Sequence, residues 1–136
     1  MTMIRSIAIA LGLTLTPAAV LAQEAGTPAP AVQEPDTGAT YEAARNQLGI
    51  LQYCQDQGFT GAEAVAAQTQ LIGLLPEGDT TAGTAAEEKG VEGMVAVGEA
   101  ELSLADAAES QGNTVEITCQ QIEAAVNEVA PSLPAG

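Results

Sequence analysis

From residue 40 onward, apolar positions recur at spacings of three and four, the period of helices that each turn one face to a core. Tyr41, Ala44, Leu48, Leu51 and Cys54 make the first stripe, on a helix predicted to end near Gly58. Thr60-Gly-Ala-Glu63 has the form of a capping box, in which hydroxyl and carboxylate each satisfy an orphan backbone N–H. It predicts a second helix with Ala62, Val65, Ala66, Thr69 and Ile72 on one face, stopped by Pro76. Pro76 to Thr81 reads as a loop, and Thr84-Ala-Ala-Glu87 repeats the capping pattern ahead of a third helix. Gly90, Gly93 and Gly98 then predict a loose helix, or a helix-to-helix bend where backbones approach closely. A further helix is expected over Glu99 to Gln111, ended by Gly112. Asn113-Thr-Val-Glu116 caps the last one, whose stripe is Val115, Cys119, Ile122, Val126 and Val129, closed by Pro131. The fold class expected is all-α: a small disulfide-stapled helical bundle of four to five helices with a disordered N-terminal leader.

The chain ahead of these helices has a different character. Met1 to Ala22 runs from a basic start at Arg5 through an apolar stretch, Ile7 to Leu15, to the small-residue end Val20-Leu21-Ala22. This is the layout of a signal peptide cleaved after Ala22, and the apolar stretch is too short to span ~30 Å of hydrocarbon. Residues 23–39 read QEAGTPAPAVQEPDTGA, with Val32 as the only large apolar residue. Such a segment cannot bury enough surface to offset its ordering entropy and is expected to be a flexible linker. The helical domain is then residues 40–130, followed by a disordered tail over 131–136. The location implied is periplasmic or secreted.

Export changes the meaning of the two cysteines. Cys54 and Cys119 are the only thiols, and an even count in an oxidising compartment favours one internal bridge. Both fall on the apolar stripes of their helices, so the bridge would staple the first helix to the last. No Cys-x-x-Cys spacing supports a redox role.

Charge removes more functions than it suggests. Of 136 residues, 18 are Asp or Glu, three are Lys or Arg and none is His, for a formal net charge of −15. Three cations cannot build a nucleic-acid groove, and imidazole catalysis and His-ligated metals lack their residue. The carboxylates are read as a solvated face: Glu99 and Glu101 point apart on the expected helix, and Glu88 and Glu92 share an exposed side. Ser103 and Ser110 have no partner base. The Gly90 to Gly98 run lacks the Gly-Lys-Ser/Thr ending of a phosphate loop. Pro76-Glu-Gly-Asp79 offers two oxygen ligands, too few for calcium. Catalytic, cofactor and metal residues are therefore none, and Cys54 and Cys119 are the site residues. The reading is non-enzymatic, through a protein partner or self-association. Because carboxylates as a class titrate near 4, acid takes the mature chain from −16 to about +2 by about pH 3. Membrane contact or oligomers are thus expected at low pH, although the longest uncharged run in the domain, Ala64 to Pro76, is short of a span.

The run Tyr41-Glu-Ala-Ala-Arg45-Asn-Gln-Leu-Gly49 through Tyr53-Cys54, with Leu104-Ala-Asp-Ala-Ala108 and Thr118-Cys119, resembles a group of small exported bacterial proteins labelled the pore-forming ESAT-6 family. The resemblance covers roughly Tyr41 to Glu128 and implies a helical protein that forms pores. A second likeness is to small periplasmic acid-stress chaperones, which are disulfide-bridged helical domains with one cysteine near each end. It implies client binding in the envelope.

Overall fold

In a computed structural model, residues 36–135 are described; the expected signal peptide and residues 23–35 of the linker lie outside them. Helix α1 spans Thr37–Asp56, and the Asp36 carboxylate caps it by accepting from the amides of Gly38 and Ala39. The helix therefore begins three residues earlier than the apolar pattern suggests, and Thr37 to Ala39 are its first turn rather than linker.

The chain continues as α2 (Ala62–Leu74), α3 (Thr80–Val91), strands β1 (Met94–Val97) and β2 (Ala100–Ser103), α4 (Leu104–Ser110) and α5 (Val115–Val129). The described residues thus form a mostly helical bundle with one short hairpin. Helix α1 lies at its centre because it is apolar on two sides. Leu51 packs with Ala64 and Ala67 of α2 and Val126 of α5. Ile50 and Cys54 pack with Leu104 of α4 and Cys119 of α5. On the first stripe Tyr41, Leu48, Leu51 and Cys54 are buried as expected.

Several local expectations are corrected. The Thr60 to Glu63 capping box does not form: Gly61 is the N-cap of α2 without a side-chain bond, and its amide is taken by the Glu123 carboxylate of α5 at 2.8 Å. The buried face of α2 is Ala64, Ala67 and Gln68, whereas Ala62, Ala66 and Thr69 face solvent. This helix is apolar nearly all round, so its orientation is set by Gln68, which reaches inward to the Ala44 carbonyl at 2.9 Å. Helix α3 starts at Thr80 under the Asp79 carboxylate, and Thr84 sits inside it with its hydroxyl on the Thr80 carbonyl. The side-chain cap of α5 is Thr114, not Asn113.

The largest correction concerns Glu99 to Gln111, expected as one helix. Its first part is strand: β1 and β2 pair antiparallel, Met94 with Ser103 through Val97 with Ala100. The two-residue connection Gly98-Glu99 has Gly98 at φ +61°, the conformation a tight hairpin needs at its first position. Ser103 then caps the short α4. The tail expected to be disordered from residue 131 instead makes a 3-10 turn, Ala130–Ser132, and Leu133 packs against the cluster of Leu51 and Val126.

Glycine sets the contact between α1 and α3. A Cβ on Gly90 would lie 2.3 Å from the Asn46 carbonyl oxygen, and one on Gly49 would lie 2.0 Å from that of Glu87. The helices therefore cross backbone against backbone. The close backbone approach expected near Gly90 is present, inside a continuous helix. Next to the crossing, the buried Asn46 side chain donates to the carbonyls of Ala86 and Met94, both at 2.9 Å, and accepts from the Ala96 amide at 3.1 Å. One carboxamide thus ties α1 to α3 and serves the edge of β1. A lone hairpin is marginal in water, so this clamp decides whether it stays. Asn46→Ala is expected to cost about 2 kcal/mol or more, because buried backbone groups lose their partner. Amide exchange should accelerate from Met94 to Ser103; unchanged protection there would contradict the clamp.

Candidate functional site

The cysteines come together as expected. Cys54 and Cys119 are bonded, with Cα atoms 5.7 Å apart and both residues fully buried. Helical spacing places each on its inward stripe, so the bridge joins surfaces that already pack. It is a structural element with no access for an external thiol.

The other residues weighed for chemistry are scattered and occupied locally. Glu101 lies on β2 and pairs with Lys89, while Glu99 is in the hairpin connection. Glu88 and Glu92 are exposed. The Ser103 hydroxyl donates to the Asp106 carboxylate at 2.6 Å, and that of Ser110 to the Ala107 carbonyl at 2.7 Å. Asp79 serves as the α3 cap. Among the described residues no group of three or more His, Cys, Asp or Glu side chains is placed to hold a metal ion. No helix among them is long and apolar enough to cross a membrane.

Charge is distributed unevenly. Both cations of the described region are committed: Arg45 of α1 contacts Glu87 of α3 at 2.5 Å, and Lys89 pairs with Glu101. Glu87 also accepts from Gln52 at 3.1 Å. The Arg45–Glu87 contact is close without hydrogen-bond alignment, between side chains that are mostly buried. With both cations paired within the fold, the charge left on the described surface is negative.

Against those carboxylates, the cleft beside β1 carries no ionisable side chain. It is an opening of about 480 Å³ between α1, β1, α4 and α5. Ile50, Leu104 and Ile122 give it apolar walls, and Gln47, Gln111 and Gln121 place carboxamides around them. Thr118 also lines it and is only 8% exposed, with a hydroxyl that finds no partner among the described residues. A buried polar group without a partner costs free energy that a bound donor or acceptor can recover. A second open cleft, of about 600 Å³, lies between α1, α2 and α5. Its walls are Leu71, Leu75, Val126 and Val129, with Asp36 as its single charged residue. The two clefts meet along Ala43, Gln47 and Ala125.

Together they form a concave strip running along α1, uncharged except for Asp36 at one end. Reasoning from stripes alone misses it. The signal present in the sequence is the acid-free row Thr118, Gln121, Ala125 on α5, at spacings of three and four, facing Ala43 and Gln47 on α1. Such a surface suits neutral or apolar partners, since its one charge, Asp36, stands at an end and the rest costs little to desolvate.

No protein-family model matches this chain, and neither a curated protein nor a solved structure matches it.

Proposed function

We propose that this is an exported, non-enzymatic helical protein that acts by associating with a protein or a membrane. The observation that carries the reading is the uncharged strip of Ala43, Gln47, Ala125 and the two clefts beside it, set in a chain of net charge −15. Charge repulsion keeps copies and anionic surfaces apart at neutral pH. Acid removes that repulsion without altering the strip, which holds no ionisable group apart from Asp36 at its end. Association then follows from the apolar walls. Pore formation is the form of this activity that the ESAT-6 resemblance implies.

A periplasmic acid-stress chaperone or envelope adaptor is the second reading. It is favoured by the shape of the strip, an open and adaptable surface of small apolar side chains and amides that suits varied clients. Oxidised protein is expected to sediment as larger species and to release dye from liposomes at pH 3.5 but not at pH 7. Suppression of client aggregation at pH 3.5 without leakage would favour the chaperone. No change in either assay between the two pH values would overturn the association reading.

A further inference from the structure

Threonine inside a helix commonly turns its hydroxyl onto the carbonyl four residues back. Thr40, Thr69 and Thr84 do so, at 2.8 to 3.0 Å. Thr118 stands over the Thr114 carbonyl in the same way, and its own amide donates there at 3.0 Å. Its hydroxyl does not: it is buried and finds no partner among the described residues. The next residue, Cys119, is bonded to Cys54, so α5 cannot rotate to bring that hydroxyl to water. The Thr118 side chain belongs instead to the wall of the 480 Å³ cleft, beside Gln121 and Ile122 one turn further along α5. A single rotatable bond, χ1, sets what the hydroxyl meets there, with no movement of the backbone.

We infer that this cleft is a binding site for a small uncharged molecule, an aliphatic body carrying one hydroxyl, whose polar end pairs with Thr118. Charge selects the class. No residue of the wall is ionisable, so a carboxylate or phosphate finds no cation there and approaches against a net charge of −15. An ammonium group finds no carboxylate in the wall to replace its water. The apolar walls, Ile50, Val95, Leu104 and Ile122, are aliphatic and offer no ring to stack on, which selects a chain or a saturated ring over a flat aromatic. Small residues such as Ala107 leave the cleft open. A dry apolar cavity of about 150 Å³ holds benzene, so this one has room for about 15 non-hydrogen atoms. A ligand hydroxyl both donates and accepts, as that of Thr118 does, so either partner can supply the proton. The bond recovers the free energy lost by burying Thr118 unsatisfied. The site stands on the cleft alone and does not require acid-driven association.

The test is a methyl NMR titration of the oxidised protein with 1-octanol at pH 7. Saturable shifts are expected at the Ile50, Val95, Leu104 and Ile122 methyls, with cross-peaks to the octanol chain, while Leu71 and Leu75 of the other cleft stay in place. Octanoate, the same chain with a charge, should bind at least about tenfold more weakly. Thr118→Val keeps the shape and removes the hydroxyl; it should weaken octanol binding about fivefold and leave the protein at least as stable to urea. Ala107→Phe should fill the cleft and abolish the shifts. Absence of saturable shifts in the unsubstituted protein would overturn the assignment, as would equal affinity for octanoate or undiminished affinity in Thr118→Val. Shifts that never saturate and spread to the exposed Leu74, Leu102 and Ile117 would mean partitioning onto the surface and overturn it equally. None of these outcomes bears on association at pH 3.5, which is read separately.

Discussion

Gly90→Ala is expected to destabilise the fold by about 3 kcal/mol or more, a large effect for one methyl group. The added carbon would sit 2.3 Å from the Asn46 carbonyl oxygen, 2.7 Å from the Ile50 nitrogen and 2.8 Å from the Gly49 Cα. All three are backbone atoms at the helix crossing, so no side-chain rotation relieves the clash. Helix α3 must move away from α1, and the Asn46 hydrogen bonds to Ala86 and Met94 stretch with it. Helix propensity acts in the opposite direction, because Ala is favoured over Gly inside a helix by up to ~1 kcal/mol. The sign of the result therefore separates packing from propensity. Gly73→Ala supplies the control: it lies in α2 with open space around the new Cβ, and it should be neutral or stabilising. Urea unfolding of both variants reads the difference. A Gly90→Ala protein as stable as its parent would mean that α1 and α3 do not cross at this point.

Loss of the disulfide is expected to have the second large effect. Cys54 and Cys119 are separated by 65 positions, and in the chain-entropy model closing a loop of that size stabilises by about 4 kcal/mol. A domain of this size has a total stability of about 5 to 15 kcal/mol. Its core is built largely of Ala and Leu, with no Trp in the chain, so each contact removes little area from water. Cys54→Ser combined with Cys119→Ser should lower the urea midpoint sharply, with α5 exchanging its amides first. Equal midpoints for the oxidised and doubly substituted proteins would contradict the role assigned to the bridge.

What the chain revealed in advance follows from the range of the forces involved. The α1 stripe and the cysteine pairing were legible because both rest on local periodicity and parity. Most of the α5 stripe also forms, with Cys119 and Val126 buried; Val129 instead stays exposed and borders a cleft. The hairpin was hidden by composition, since Ala100-Glu-Leu-Ser103 is made of residues that also suit helices. Its signature was Gly98-Glu99 between two four-residue runs, a turn signal that the neighbouring glycines obscured. Asn46 could not be read as a clamp, because its three partners are forty or more residues away. The rotation of α2 was equally illegible, for a helix apolar on most sides takes its orientation from tertiary bonds such as that of Gln68. The uncharged strip exists only once α1 and α5 are side by side.

Association is proposed to run through this strip, and Ala125 marks where its two clefts meet. Ala125→Arg places there a bulky charge that persists at every working pH, on a side chain exposed enough to leave the core intact. The decisive measurement is light scattering of oxidised parent and Ala125→Arg protein, with and without lipid vesicles, from pH 7 to pH 3.5. The parent is expected to assemble or bind vesicles as pH falls, and the variant, equally folded, to stay monomeric and unbound. Assembly of the variant at the same pH and to the same size would contradict it.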